Sequence, residues 1–170
     1  MLLMTRPEKQ AVKDMAFLKE HGVQCMLAPM LKIEKLDFVL PEPKSFNSFI
    51  MTSANAADIL KLALPEKHKL FKCPVIAIGN QTSEAAEKAG FKRVINASGT
   101  ALDIIDLIRS KKKDAQKRYI YLRGEDISVD IEEDLQSRNV QCSSIIIYKS
   151  ILAKDLPVTV VNALKNHDVS

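Results

Sequence analysis

Hydroxyl side chains recur in this sequence just after short apolar runs, where a strand would give way to a helix. They include Thr52, Ser53, Thr82 and Ser98. Hydroxyl groups beside the free N–H groups and positive dipole end of a helix favour anions. Each one alone is also an ordinary helix cap, worth about 1 kcal/mol. Their recurrence favours a binding role over capping alone, and a small polyanion is a plausible partner.

Several common chemistries lack their residues here. No Gly-x-Gly-x-x-Gly or Gly-x-x-x-x-Gly-Lys-Ser/Thr motif is present, which disfavours dinucleotides and nucleotide phosphates. The polar turns do not begin with the acidic cluster that a phosphoacceptor domain needs to hold a cation. The three histidines, His21, His68 and His167, lack metal-ligand spacing, so we expect no metal site.

Composition favours a folded protein without a dedicated nucleic-acid surface. The 170 residues are 46% hydrophobic, and the net charge is only +4. No apolar stretch approaches the roughly 20 residues that cross a bilayer. No signal peptide precedes the first strand-like run, so a cytoplasmic location is expected. The unpaired spacing of Cys25, Cys73 and Cys142 predicts reduced thiols that pack as small apolar groups.

The hydroxyls are positioned by repeated strand-turn-helix units. Four apolar runs, at residues 2–4, 49–51, 75–78 and 119–122, are each followed by a polar turn and an amphipathic stretch. We expect turns at residues 5–7, 52–55, 79–82 and 123–126. Further strand-like runs follow the helices at residues 23–29, 93–97 and 142–148. Runs without alternation imply burial on both faces, which predicts an α/β fold with a parallel sheet and helices on each side. Ligands of such sheets bind at the carboxyl ends of the strands.

Two extended segments divide the chain. Residues 31–40 alternate apolar and charged side chains and lead into Pro41-Glu42-Pro43, and residues 145–152 form a second extended run. They predict an inserted domain at residues 35–149. Residues 1–34 and 150–170, with a helix expected at 158–167, would form a partial first domain. That domain has too few elements to bury a core, so we expect a sequence truncated relative to its fold, with a possible homodimer through the incomplete domain.

The turns and their neighbours resemble the uroporphyrinogen-III synthase family along nearly the whole chain. The order and spacing of short motifs carry the resemblance. They are Leu-Met-Thr-Arg-Pro at 3–7, Ala-Pro-Met-Leu at 28–31, Phe-Ile-Met-Thr-Ser-Ala-Asn-Ala at 49–56, the Gly-x-x-Thr-x-x-x-Ala segment at 79–86 with Gly-Phe at 90–91, Gly-Thr-Ala at 99–101, Tyr-Leu-Arg-Gly-Glu at 121–125 and Ile-Tyr-Lys-Ser at 147–150.

The resemblance implies two flavodoxin-like domains, the first incomplete here, joined by a two-stranded linker with the active cleft between them. It also implies the cyclisation of hydroxymethylbilane, a linear tetrapyrrole polycarboxylate, to uroporphyrinogen III, with inversion of the last ring, loss of water and no cofactor. Tyr148 is the residue matched to a catalytic role, although it could equally be a packed strand tyrosine. The implied substrate-binding residues are Thr5, Arg6, Thr52, Ser53, Asn55, Gly79, Thr82, Ser98, Arg123 and Gly124.

Other interpretations of the sequence stay open. Arg123 fits a surface salt bridge as well as a substrate carboxylate. A truncated, non-catalytic remnant or tetrapyrrole-binding module of the same fold satisfies every pattern described above. Periplasmic-type or receiver-like sensors and flavin- or nucleotide-dependent α/β enzymes are weaker alternatives, because the export signal, acidic cluster or phosphate loop of each is missing.

Overall fold

The computed structural model of the chain describes residues 1–97, 101–110 and 117–166, in which strands and helices alternate. The strands are β1 (Leu2–Met4), β2 (Cys25–Leu27), β3 (Leu31–Lys35), β4 (Ser48–Met51), β5 (Val75–Ile78), β6 (Val94–Ala97), β7 (Arg118–Gly124) and β8 (Gln141–Leu152). The helices are α1 (Glu8–Glu20), α2 (Ala54–Ala63), α3 (Gly79–Ala89), α4 (Ala101–Ser110), α5 (Ile131–Ser137) and α6 (Val158–Lys165), with a 3₁₀ helix at Lys69–Lys72. The predicted α/β class is confirmed.

The chain divides into two compact units, Met1–Glu34 with Ser150–Ser170, and Lys35–Lys149. In the first unit β1 and β2 pair in parallel, with Leu2 opposite Cys25 and Met4 opposite Leu27. Helix α1 packs on β2 and buries Ala11. This unit therefore contains one strand-helix-strand motif, followed much later in the sequence by α6.

The second unit is built on a sheet of parallel strands. Strands β8, β7, β4, β5 and β6 lie side by side in that order, and each neighbouring pair is parallel. Strand β3 lies next to β8 at the edge of this sheet. The Leu36 N–H donates to the Ile147 carbonyl (3.0 Å), whereas in the first unit the Ala153 N–H donates to the Met30 carbonyl (2.9 Å).

Both faces of the sheet in the second unit are covered, as the apolar runs predicted. Strand β4 is buried along its whole length. Ile50 and Tyr121 belong to one core cluster with the isoleucines of α4 and with Ile131 and Leu135 of α5. On the other face Phe49 packs against the rings of Phe46 and Phe91, with centroids 4.5 and 6.0 Å away. Successive strand residues point to opposite faces, so the sheet lies between two apolar layers.

Several element boundaries differ from those expected. The turn expected at residues 79–82 is wrong, because α3 begins directly at Gly79, whose left-handed φ of +74° reverses the chain without further turn residues. The turn expected at 123–126 begins too early, because β7 continues through Gly124 while it remains paired with β8. Strand β3 ends at Lys35, well before residue 40.

Candidate functional site

The hydroxyl groups of Thr52 and Tyr121 form a pair at the carboxyl edge of the sheet. Thr52 directly follows β4, and Tyr121 lies on the adjacent parallel strand β7. Thr52 Oγ1 and Tyr121 Oη are 3.1 Å apart, within hydrogen-bond distance. The Tyr121 side chain is buried, while Thr52 is half-buried. Burial raises the pKa of the Tyr121 phenol, so it remains protonated at neutral pH.

Tyr148, the candidate catalytic residue, lies against Gly124. The register between β7 and β8 shifts after Arg123, which pairs Gly124 with Tyr148. A Cβ atom on residue 124 would lie 2.6 Å from Tyr148 Cε2 and 2.9 Å from Cζ, closer than atoms can approach. The Glu125 N–H also donates to the Tyr148 carbonyl at 2.9 Å. The missing side chain of Gly124 therefore provides the space that the phenol ring occupies.

The Arg123 guanidinium turns back to its own backbone. Its Nη1 donates to the carbonyls of Gly124 (3.0 Å) and Glu125 (3.1 Å). Its Nε is buried and has no hydrogen-bond partner within the described residues. These hydrogen bonds of Arg123 stabilise the end of β7. They are made to backbone carbonyls and not to a carboxylate, as a surface salt bridge would be.

Ser53 and Asn55 form the first turn of α2, next to Thr52. Ser53 has an extended backbone, and its Oγ accepts a hydrogen bond from the Asn55 N–H at 3.2 Å. Ser53 is therefore the N-cap of this helix. Thr52 Oγ1, by contrast, lies within hydrogen-bond distance of Tyr121 Oη, and Ser53 takes the capping position.

Gly79 and Thr82 belong to α3, which follows β5. Because β4 and β5 are adjacent and parallel, Gly79 lies at the same edge of the sheet as Thr52. Thr82 is not a helix cap, because it and the next residue, Ser83, lie inside α3 and are buried. Ser83 Oγ donates to the Gly79 carbonyl one turn earlier, at 3.0 Å. Ser98, the remaining candidate of the predicted turns, lies outside the described residues.

Thr5 and Arg6 belong to the first unit, where they follow β1. The Thr5 carbonyl accepts a hydrogen bond from the Met30 N–H at 2.9 Å. Arg6 pairs with Asp14 through a contact of 2.6 Å and with Gln10 at 3.2 Å, both on the following helix. All three side chains of this network are solvent-accessible, so the ion pair contributes little stability.

The remaining candidate groups do not converge on a site. Across the described ranges, no group of three His, Cys, Asp or Glu side chains could hold a metal ion. The thiols of Cys73 and Cys142 are buried, as predicted, but Cys25 is only half-buried. No helix in the described part of the chain is long and apolar enough to span a membrane.

Tyr121 is the residue that the sequence analysis missed. The sequence places it in a strand and in the motif at 121–125 without giving it a role, although Tyr119, Tyr121 and Arg123 alternate with other residues on one face of β7. Their shared face could have been found from this spacing. The contact of Tyr121 with Thr52 could not, because β4 and β7 are neighbours only through a crossover.

The family model described as uroporphyrinogen-III synthase HemD matches residues 13–170. The chain belongs to this family. Among curated proteins, no sequence matches it closely. Members of the family with solved structures share its fold. A uroporphyrinogen-III synthetase from Helicobacter pylori 26695 is 22% identical with a TM-score of 0.61, over 82% of this chain and 62% of that one.

A second solved structure, a mutant uroporphyrinogen III synthase from the extremely thermophilic bacterium Thermus thermophilus, is 18% identical with a TM-score of 0.54. It is matched over 99% of this chain and 69% of its own length. The chain therefore spans a little over three fifths of the Helicobacter protein and about two thirds of the Thermus one. Family membership and fold are thus established, while the activity of this chain is a separate question.

Proposed function

We propose that this protein is a uroporphyrinogen-III synthase that cyclises hydroxymethylbilane to uroporphyrinogen III, with inversion of the last pyrrole ring and loss of water. The observation that carries the proposal is the family match over residues 13–170. The geometry of the second unit supports it, because hydroxyl groups and helix N-termini gather at the carboxyl edge of the sheet. A polycarboxylate needs such donors more than it needs a strong base.

Substrate carboxylates would be bound by neutral donors at this edge, together with one cation. Thr52 has a half-buried hydroxyl beside the first turn of α2, and Arg123 adds positive charge at the end of β7. The family resemblance assigns the same role to the other candidates. The proposed substrate-binding set is Thr5, Arg6, Thr52, Ser53, Asn55, Gly79, Thr82, Ser98, Arg123 and Gly124.

Tyr148 is the proposed catalytic residue. Its phenol would donate a proton to the hydroxyl of the hydroxymethyl group, which leaves as water and generates a cationic azafulvene. The substituted carbon of the terminal ring then attacks this cation to form a spiro intermediate, which rearranges to the inverted macrocycle and loses the proton that restores the phenol. A positioned acid of this kind contributes about 10²- to 10⁴-fold in rate. The contact with Gly124 supports the role, since it restricts where the phenol ring can lie.

The finer architecture is part of the same proposal. Residues 35–149 would form a flavodoxin-like domain inserted into a second, incomplete one, with β3 and β8 as a two-stranded linker. The division of the chain into two compact units supports the domain assignment. The hydrogen bonds of Leu36 to Ile147 and of Ala153 to Met30 support the antiparallel linker.

The test is a comparison of product isomers. The purified chain is incubated with hydroxymethylbilane, the products are oxidised, and the type I and type III uroporphyrins are separated by chromatography. We expect the III isomer from the wild type, and a rate about 10²-fold lower from Tyr148→Phe. Tyr119→Phe is the matched control, because Tyr119 has another buried phenol. It lies at the end of β7 that is opposite to Gly124, the residue in contact with Tyr148.

The alternative outcome is also informative. If only the spontaneous I isomer forms at the uncatalysed rate, the chain is not a synthase. Tight binding of the tetrapyrrole without closure would then identify a non-catalytic binding module of the same fold. This second candidate is favoured by the share of the solved relatives that the chain spans, 62% of the Helicobacter protein.

A further inference from the structure

We propose that Tyr121 is a positioning residue, which donates its phenol proton to Thr52 and so directs the Thr52 hydroxyl outward as a donor to a substrate carboxylate. This inference rests on the proposed function, because it assigns a mechanism of recognition to the same site. Its basis is the 3.1 Å contact between the two hydroxyl groups, one buried and one half-buried.

The number of available protons determines the direction of this hydrogen bond. Each hydroxyl has one proton to donate. The side-chain hydrogen bond that Tyr121 makes within the described residues is the one to Thr52. If Thr52 donated to Tyr121, the buried phenol proton would have no acceptor among the described residues, and an unsatisfied buried donor is unfavourable. Donation from Tyr121 to Thr52 satisfies the buried group and leaves the Thr52 proton free.

An anionic ligand would reinforce this direction. A carboxylate only accepts hydrogen bonds, so it pairs with Thr52 when the Thr52 proton points away from the sheet. The two bonds then run in series from Tyr121 to Thr52 to the ligand, and each polarises the next. Burial raises the pKa of Tyr121, which keeps the proton available across the neutral range.

The surroundings of Tyr121 link it to the rest of the candidate site. Arg123 lies two positions further along β7 than Tyr121, on the same face of the strand. Gly124, against which the Tyr148 ring packs, follows directly. Only Thr52, the hydrogen-bond partner of Tyr121, would touch substrate. A contribution through Thr52 predicts weaker binding with little change in the chemical step.

The experiment compares wild type, Tyr121→Phe, Thr52→Val and the double variant in the isomer assay. Binding of uroporphyrin III, a stable polycarboxylate probe, is measured in parallel by fluorescence quenching. We expect Tyr121→Phe and Thr52→Val each to raise KM and the probe Kd about tenfold, the effect of one charge-assisted hydrogen bond, with kcat within about twofold. The double variant should be no worse than Thr52→Val, since both changes break one chain of bonds.

Matched variants separate this role from a general loss of packing. Tyr119→Phe removes a buried phenol hydroxyl from the same strand and should leave KM unchanged. Thr52→Ser restores the hydroxyl that Thr52→Val removes, so its KM and probe Kd should lie well below those of Thr52→Val. Thr52→Val tests the same bond from its accessible end, so the test survives if Tyr121→Phe is unstable. Thermal unfolding of every variant identifies any that is poorly folded.

The outcomes are distinguishable. A wild type that neither forms the III isomer nor binds the probe overturns the proposed function and this inference together. An active wild type with unchanged KM and Kd in Tyr121→Phe or in Thr52→Val overturns the inference alone. Additive effects in the double variant, or a fall in kcat without a rise in KM, also overturn it, because independent or purely structural roles would produce them.

Discussion

At the scale of single residues, the contact between Gly124 and Tyr148 gives a sharp prediction. Gly124→Ala introduces a Cβ atom 2.6 Å from the Tyr148 ring, so the ring must move. Overpacking of this kind costs about 1–3 kcal/mol of stability. A displacement of about 1 Å in a catalytic group lowers the rate on the order of 10²-fold. Denaturant unfolding measures the predicted loss of stability, and the isomer assay measures the predicted fall in rate.

The control for this prediction removes the ring. In a Tyr148→Ala background, Gly124→Ala should cost little additional free energy of unfolding, because the clashing atoms are absent. A wild-type rate of isomer III formation in the single Gly124→Ala variant would show that the position of Tyr148 does not matter.

A second prediction concerns Cys142 and pH. Burial, assisted by the nearby carboxylates of Glu132 and Asp130, raises the pKa of this thiol to about 12. In the unfolded chain the thiol ionises at about pH 8.5. The thiol of the folded protein binds its proton more tightly, so its contribution to stability is complete below about pH 8.5 and is lost as the pH rises toward about 12.

The measurement compares the free energy of unfolding of wild type and Cys142→Ala from about pH 8 to about pH 11. The advantage of the wild type should shrink by up to a few kcal/mol across this range. Cys25→Ala, at a half-buried thiol in the first unit, is the control. A difference between wild type and Cys142→Ala that stays constant with pH would contradict the prediction.

At the scale of elements, the prediction concerns the start of α2. Ser53 Oγ accepts from the Asn55 N–H, so Ser53→Ala should lower the free energy of unfolding by about 1 kcal/mol. Ser53→Asn keeps a capping acceptor and should restore most of this loss. If Ser53 also binds substrate, Ser53→Asn will be stable and yet have a raised KM. Equal stability of wild type and Ser53→Ala would rule out the capping role.

The element boundaries show which local signals were reliable. Gly90 ends α3 in a left-handed conformation with φ +115°, which is typical of a glycine after an amphipathic stretch. Gly79 has the same kind of conformation, but here it starts a helix, so the four residues expected to form a turn are already helical. A glycine signals that the chain reverses, and it does not specify how many turn residues follow.

At the scale of the whole molecule, the division into two units predicts an independently folding fragment. Residues 35–149 contain the parallel strands β4 to β7, most of β8 and helices covering both faces. We expect this fragment, expressed alone, to unfold cooperatively and to give amide NMR signals that overlay those of the full chain. A fragment without dispersed signals would show that residues 1–34 and 150–170 are needed to form the sheet.

The sequence by itself determined the class of the fold and the edge that carries the candidate site. Apolar runs of three or four residues, followed by polar turns and amphipathic stretches, specify parallel α/β units because only strands buried on both faces lack alternation. The same pattern of apolar runs and polar turns predicted that Thr52 and Gly79 follow strands. The motifs around these residues indicated the family.

Only the tertiary structure decided which side chains meet. The Thr52 to Tyr121 hydrogen bond depends on β4 lying beside β7, and no local pattern encodes that crossover. The place of Tyr148 depends on a register shift of one residue opposite Gly124, and a single slip moves a side chain to the other face of the sheet. Local periodicity records which faces are buried, whereas strand order and register follow from packing across the whole sheet.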